Sequence, residues 1–163
     1  MSWIGERIMT VNEIRELREK DFGKIKIPYK EFPIYETYQV NKNFTIFVGP
    51  PGSGKVNKAS SMADFTITCE LYDDSDIKYI FKNFEKDTKS IYAQDNVRKA
   101  AEEGQTVCFD ELDKLSDEVI TMLIKLTNGE AVDFEGEKIN VHPDFKIIAT
   151  ITCKCSYECD ESN

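Results

Sequence analysis

The sequence predicts an α/β fold built on a mostly parallel sheet, and three observations carry that prediction. The run Phe44-Thr45-Ile46-Phe47-Val48 leads directly into Gly49-Pro50-Pro51-Gly52-Ser53-Gly54-Lys55-Val56. A second run, Thr106-Val107-Cys108-Phe109, ends in Asp110 and Glu111. Around these strand-like runs lie stretches whose apolar residues recur at helical spacing, so strands and helices alternate along the chain.

A strand entering a glycine-rich turn that closes on Gly-Lys is the start of a phosphate-binding loop. The residues at 49–56 have the types that this chemistry needs. Glycines let the backbone turn tightly, so that successive N–H groups face one anion. A helix beginning near Gly54 adds its positive end. Lys55 adds a mobile charge for the outer phosphates, and it is expected to stand exposed in the loop. The plainer alternative, a Pro/Gly turn between a strand and a helix, does not explain the full spacing G-x-x-x-x-G-K. One position departs from the pattern. A hydroxyl residue is wanted after the lysine to meet Mg²⁺, and Val56 has nearly threonine's shape without the oxygen.

Composition bounds the rest. At 163 residues the chain suits one domain, and 40% hydrophobic with 31% charged residues allows an ordinary core. The net charge of −9 disfavours nucleic acid as a partner. Lys20, Lys24, Lys26 and Lys30 read as a solvated face rather than a basic patch. No apolar run approaches the roughly 20 residues needed to cross a membrane. Residues 1–7 lack a secretory core, so an intracellular protein, in cytoplasm or nucleus, is expected. Of the five cysteines, Cys69 and Cys108 read as small core residues. Cys153, Cys155 and Cys159 read as a frayed tail with exposed thiols; only His142 could join them at a metal, and it stands apart.

Residues 1–43 form a lead-in. Val11, Ile14 and Leu17 predict a short amphipathic helix over 12–20, and Lys24-Ile25-Lys26-Ile27 a short strand. Pro28 and Pro33 enforce extended chain, and Tyr29, Phe32, Tyr35 and Tyr38 make an aromatic approach to the loop strand. Such rings can cover a base, though packing is their commoner use.

After the loop, a helix is expected over 54–63 and a strand over 65–72. The acids at 73–76 offer a helix cap, with Ile77, Ile80, Phe81 and Phe84 on one face of the helix they would start. Another helix is expected over 93–103, stopped by Gly104. Leu115, Val119, Leu123 and Leu126 mark a helix over 116–128, and 131–141 reads as a β-hairpin. The run 145–150 is a buried strand that leads to Thr150-Ile151-Thr152.

In an open parallel sheet, ligands sit at the carboxyl ends of the strands. Asp110 is therefore placed to hold Mg²⁺, directly or through water, and Glu111 to accept a proton from an attacking water. An acidic pair after a strand can also be only a helix cap, but beside a phosphate loop that reading is the weaker one.

GPPGSGK at 49–55, CFDELDK at 108–114 and HPDFKIIAT at 142–150 together resemble the AAA+ ATPases. The hairpin and strand at 128–150 are most similar to the dynein-related branch, which includes midasin and the MoxR-like ATPases. The resemblance covers about residues 40–152 and implies a P-loop NTPase fold, a three-layer α/β/α sandwich with the helical lid missing. It implies ATP and Mg²⁺ as cofactors, with Gly49 to Val56 as the Walker A loop. Asp110 becomes the Walker B metal acid and Glu111 the catalytic base. Thr152 stands where the sensor asparagine is expected.

The implied partners are other AAA+ subunits or a homo-oligomeric ring, acting on a protein complex as remodelling target. Departures accompany the resemblance: Val56, Thr152, and no arginine after Arg98 for a finger or second sensor. They leave a non-catalytic paralogue or fragment, acting in assembly, as the alternative, and the loop does not separate ATP from GTP. The implied strand order, 5-1-4-3-2, would leave the loop strand at an edge, which 24–27 or another chain could cover. The chain thus divides into a lead-in at 1–43, a nucleotide-binding core at 44–152 and a Cys/acidic tail at 153–163.

Overall fold

In the computed structural model of the chain, residues 8–27, 35–72, 80–81 and 96–159 are described. Four parallel strands form the centre: β3 (Phe44–Gly49), β8 (Lys146–Thr152), β5 (Thr106–Asp110) and β4 (Phe65–Thr68). With β2 (Glu36–Asn41) they make a five-stranded sheet in the order β2-β3-β8-β5-β4. The loop, second, third and fourth strands of the expected 1-4-3-2 arrangement are β3, β4, β5 and β8, in the expected places.

Alternation along these strands builds two unequal faces, because successive side chains in a strand point to opposite sides. Phe44, Ile46 and Val48 of β3, Val107 and Phe109 of β5, and Ile147, Ala149 and Ile151 of β8 share the larger core. Three helices supply its other half: α1 (Val11–Glu16), α3 (Val97–Glu103) and α4 (Asp117–Thr127). Their apolar stripes include Ile14, Val97, Ala100, Ile120 and Leu123, all fully buried. Phe47, Cys108 and Ile148 face the opposite way and meet Ala59 of α2 (Lys55–Ser61). The sheet therefore has helices on both faces, the three-layer sandwich.

Caps explain the helix starts. Thr10 and Glu13 form a reciprocal capping box at α1, and the Ser116 and Asn96 side chains cap α4 and α3. Gly104 ends α3 in the left-handed conformation. The hairpin expected over 131–141 is β6 (Val132–Phe134) and β7 (Glu137–Ile139), and Arg98 of α3, paired with Glu102 on its own helix, ties it down through Glu137 and the Lys138 carbonyl.

The structure departs from the sequence-based expectations at several places. The open side of β3 is covered by β2, not by 24–27. Asn41 accepts from the Asn43 amide and closes a turn that folds β2 back antiparallel onto β3. Asn41 and Asn43 also bond Thr127 at the end of α4, so the turn is anchored to the core. Residues 24–27 instead lie in β1 (Asp21–Ile27), which runs parallel to β9 (Lys154–Cys159). The lead-in and the tail are thus joined to each other and, through β2, to the core sheet.

The tail is not frayed where it begins. Cys153 is buried, and its amide donates to the Gly49 carbonyl at 3.1 Å. The second strand stops at Thr68 rather than 72, because Asp110 is its last partner on β5; Cys69–Leu71 then turns as a 3₁₀ helix. The helix expected over 12–20 begins at Val11 and tightens to 3₁₀ at Leu17–Glu19. Of the expected 77–84 helix, only Ile80 and Phe81 lie among the described residues, and both are buried. Residues 93–95, Tyr29 and Phe32 lie outside them too. No helix among the described residues is long and apolar enough to cross a membrane.

Candidate functional site

β3 delivers the chain to the carboxyl edge of the sheet at Gly49, whose register partner on β8 is Thr152. Space dictates glycine there. A Cβ on Gly49 would lie 2.8 Å from Tyr35 Cβ and 2.9 Å from Ser53 Oγ. The chain then turns through Pro50 and Pro51 with left-handed φ at Gly52 (75°) and Gly54 (84°), a conformation that side chains disfavour. Gly54 is the N-cap of α2, and its carbonyl accepts the Lys58 amide at 3.0 Å. Gly52, Ser53, Gly54, Lys55, Val56 and Asn57 line a depression of about 150 Å³.

Two polar groups inside this turn lack ordinary surroundings. The Ser53 side chain is buried, and its Oγ has no hydrogen-bond partner among the described residues. Lys55 is only 4% exposed, which corrects the expectation of an exposed lysine. The side chain folds back inside the loop, and Nζ donates to the Pro50 carbonyl at 3.3 Å. Burial lowers the Lys55 pKa below its ordinary value, opposed by the nearby charges of Glu111 and Asp110. Lys55 therefore faces both acids, which its distance in sequence from them does not reveal.

The acids stand at the end of β5, and β8 holds each of them by a threonine hydroxyl. Thr150 Oγ1 donates to Asp110 Oδ1 at 2.7 Å and accepts the Glu111 amide at 3.1 Å. Thr152 Oγ1 donates to Glu111 Oε1. Glu111 itself has φ 63° and ψ 56°, left-handed for a residue with a side chain. Such strain persists only where its surroundings enforce it. The Leu112–Lys114 turn follows at once, and Arg15 of α1 clasps the chain just beyond. Its guanidinium bonds Asp113 O at 2.9 Å, Leu115 O at 2.6 Å and the Asp117 carboxylate.

The structure thus gathers Gly49, Lys55, Asp110, Glu111 and Thr152 at one edge. Val56, half-buried in the first turn of α2, brings no oxygen to it. A family model described as AAA domain, dynein-related subfamily, matches residues 45–153, about two thirds of the chain. The chain belongs to this family. No curated protein matches it in sequence.

As an AAA domain the chain is a P-loop nucleotide-binding module, of a kind that generally takes ATP with Mg²⁺ and commonly works beside other subunits. The family match spans β3 to β8 and leaves out β1, β2 and β9. The AAA domain has a larger cavity, about 430 Å³, between Asn43, Lys138, His142 and Phe145. Asn43 and Phe145 precede β3 and β8, so this cavity lies at the amino end of the sheet, away from the loop.

The fit to a phosphate chain rests on the left-handed turn, the buried Lys55 and the orphaned Ser53 hydroxyl. The fit to a divalent cation is narrower. Asp110 has one oxygen engaged by Thr150, and no hydroxyl follows Lys55.

Three residues named in the sequence without a role in the site, Thr150, Tyr35 and Cys153, stand in this neighbourhood. Thr150 is two positions before Thr152 on one strand, so β alternation could have put both hydroxyls on one side. Tyr35 packs against Gly49 and lies 5.0 Å from the Phe47 ring, so its aromatic surface serves packing. Cys153 sits close enough to Lys55 that the lysine charge opposes the upward push of burial on its thiol. Nothing in the cysteine spacing signals that position.

Proposed function

We propose that this AAA domain binds ATP at the 49–56 loop and hydrolyses it slowly, depending on neighbouring subunits, to drive remodelling of a protein complex inside the cell. In this reading the loop amides and Lys55 hold the phosphates, Asp110 holds Mg²⁺ directly or through water, and Glu111 takes the proton of the attacking water. Thr152 orients Glu111. Bound Mg²⁺ supplies neutralisation of charge on the outer phosphates.

The observation that supports this most is a single register. Thr152 pairs with Gly49 on β3 while its hydroxyl meets the Glu111 carboxylate from β5. One strand thereby spans from phosphate loop to proposed base.

A partner is called for because Arg98 and Arg15 are already engaged elsewhere. Arg98 is 7% exposed between Glu102 and Glu137, and Arg15 is committed to the 113–117 segment. An arginine supplied by another subunit is worth about 10³–10⁵ in rate in related chemistry. The test is ATP turnover by the purified chain, which should fall well below about 1 per second, the low end of ordinary enzymes. Faster turnover would overturn the partner dependence.

A second reading has its own support in Val56: a module that binds nucleotide without hydrolysing it and serves assembly. ATP affinity that is wholly indifferent to Mg²⁺ would favour it. Titration with GTP alongside ATP decides the base.

A further inference from the structure

We propose that Thr150 is a positioning residue for the acid pair, setting the Asp110 carboxylate and the Glu111 backbone for a metal-bound nucleotide. The inference rests on the reading of the 49–56 loop and acids as a nucleotide site.

Thr150 is fully buried in β8, where it pairs with Phe47 of β3. Packing alone would be met by valine, which has the same shape. A buried hydroxyl is unfavourable unless it is bonded. Here its single oxygen is used twice, donating to Asp110 Oδ1 at 2.7 Å and accepting from the Glu111 amide at 3.1 Å.

Both uses bear on the acids. The donated bond occupies one oxygen of Asp110; the other, Oδ2, takes no hydrogen bond from the described residues and is the one placed to meet a cation or its water. The accepted bond holds the amide of a residue whose φ of 63° places it in the left-handed region. That backbone turns the chain out of β5 and sends the Glu111 side chain to Thr152. The two threonines therefore have separate roles. Thr150 fixes where the acids are attached, and Thr152 fixes where the Glu111 carboxylate ends. Since Val56 supplies no hydroxyl, the orientation of Asp110 carries more of the metal placement than it would beside a threonine.

The test compares Thr150→Val and Thr150→Ser with the parent. The first readout is hydrogen exchange of the Glu111 amide in the nucleotide-free protein. The second is the ratio of ATP affinities with and without Mg²⁺. Thr150→Val should speed exchange at Glu111 and reduce the Mg²⁺ ratio, each about tenfold, the worth of one lost hydrogen bond. Thr150→Ser, which keeps the oxygen, should stay within about threefold on both, well under that loss.

Unchanged exchange and ratio in Thr150→Val would overturn the proposal, as would equal losses in the serine variant. If Thr150→Val does not fold, Thr150→Ala is read in its place against the same serine control. A parent that binds no ATP sinks the nucleotide reading, and the Glu111 exchange comparison then still decides whether Thr150 holds the acid turn.

Discussion

The Thr152 hydroxyl donates to the Glu111 carboxylate, joining the end of β8 to the first residue beyond β5. A threonine reaches less far than asparagine, yet here it reaches the acid. Replacing it with valine removes the donor and keeps the volume. Thr152→Val should lower single-turnover ATP hydrolysis by roughly tenfold or more if Glu111 is the proposed general base, with ATP affinity little changed. Rapid-quench measurement of phosphate release reads this directly.

Lys55 gives a prediction about stability and pH. Its folded pKa is lowered from the ordinary 10.5 by burial. The unfolded chain therefore binds this proton more tightly, and stability gains from Lys55 as pH rises through its folded pKa toward 10.5. Urea unfolding across the alkaline range should show this gain in the parent. It should be missing in Lys55→Met, which keeps the length and drops the charge. Lys55→Ala should also be less stable by about 1–2 kcal/mol, because a buried stem is lost. An exposed lysine would show neither effect.

Ser53 should behave as an unsatisfied buried group. Ser53→Ala removes a hydroxyl that has no partner in the loop. The nucleotide-free protein should gain about 1 kcal/mol in urea unfolding, toward the lower end of what an orphaned polar group costs. A loss of stability instead would mean the hydroxyl is bonded.

Val56 is the position to restore. Val56→Thr places a hydroxyl one residue past Lys55, where this loop type meets Mg²⁺. ATP affinity should become more dependent on Mg²⁺, and phosphate release should rise, because positioning is most of phosphoryl-transfer catalysis. If the substitution alters neither, the cation is not held at this place.

The centre of the fold was legible because local patterns coincide with it. The apolar runs of β3, β5 and β8 and the glycines of the loop are short-range signals, and they led to the carboxyl edge of the sheet. What stayed hidden depends on partners distant in sequence. The 36–41 segment shows its strand only through the Asn41–Asn43 turn and through β3, which gives it an edge to join. Residues 154–159 pair with 21–27, across most of the chain; alternation marks a strand at 24–27, but nothing in the 154–159 run marks its partner. The loop spacing identified Lys55, but its burial comes from the way the loop closes on Pro50. The Glu111 conformation is likewise set by Thr150, a residue that sequence spacing does not connect to it.

The most direct test of nucleotide binding at the 49–56 loop is calorimetric titration of ATP into the parent chain and into Lys55→Met, with and without Mg²⁺. Saturable binding by the parent is expected, tighter with Mg²⁺. Affinity should be weaker by about 10–150-fold in the variant, equivalent to about 1.5–3 kcal/mol for a lost charged hydrogen bond. Equal affinity in the two proteins, or no binding by the parent at millimolar ATP, would contradict the assignment of this loop.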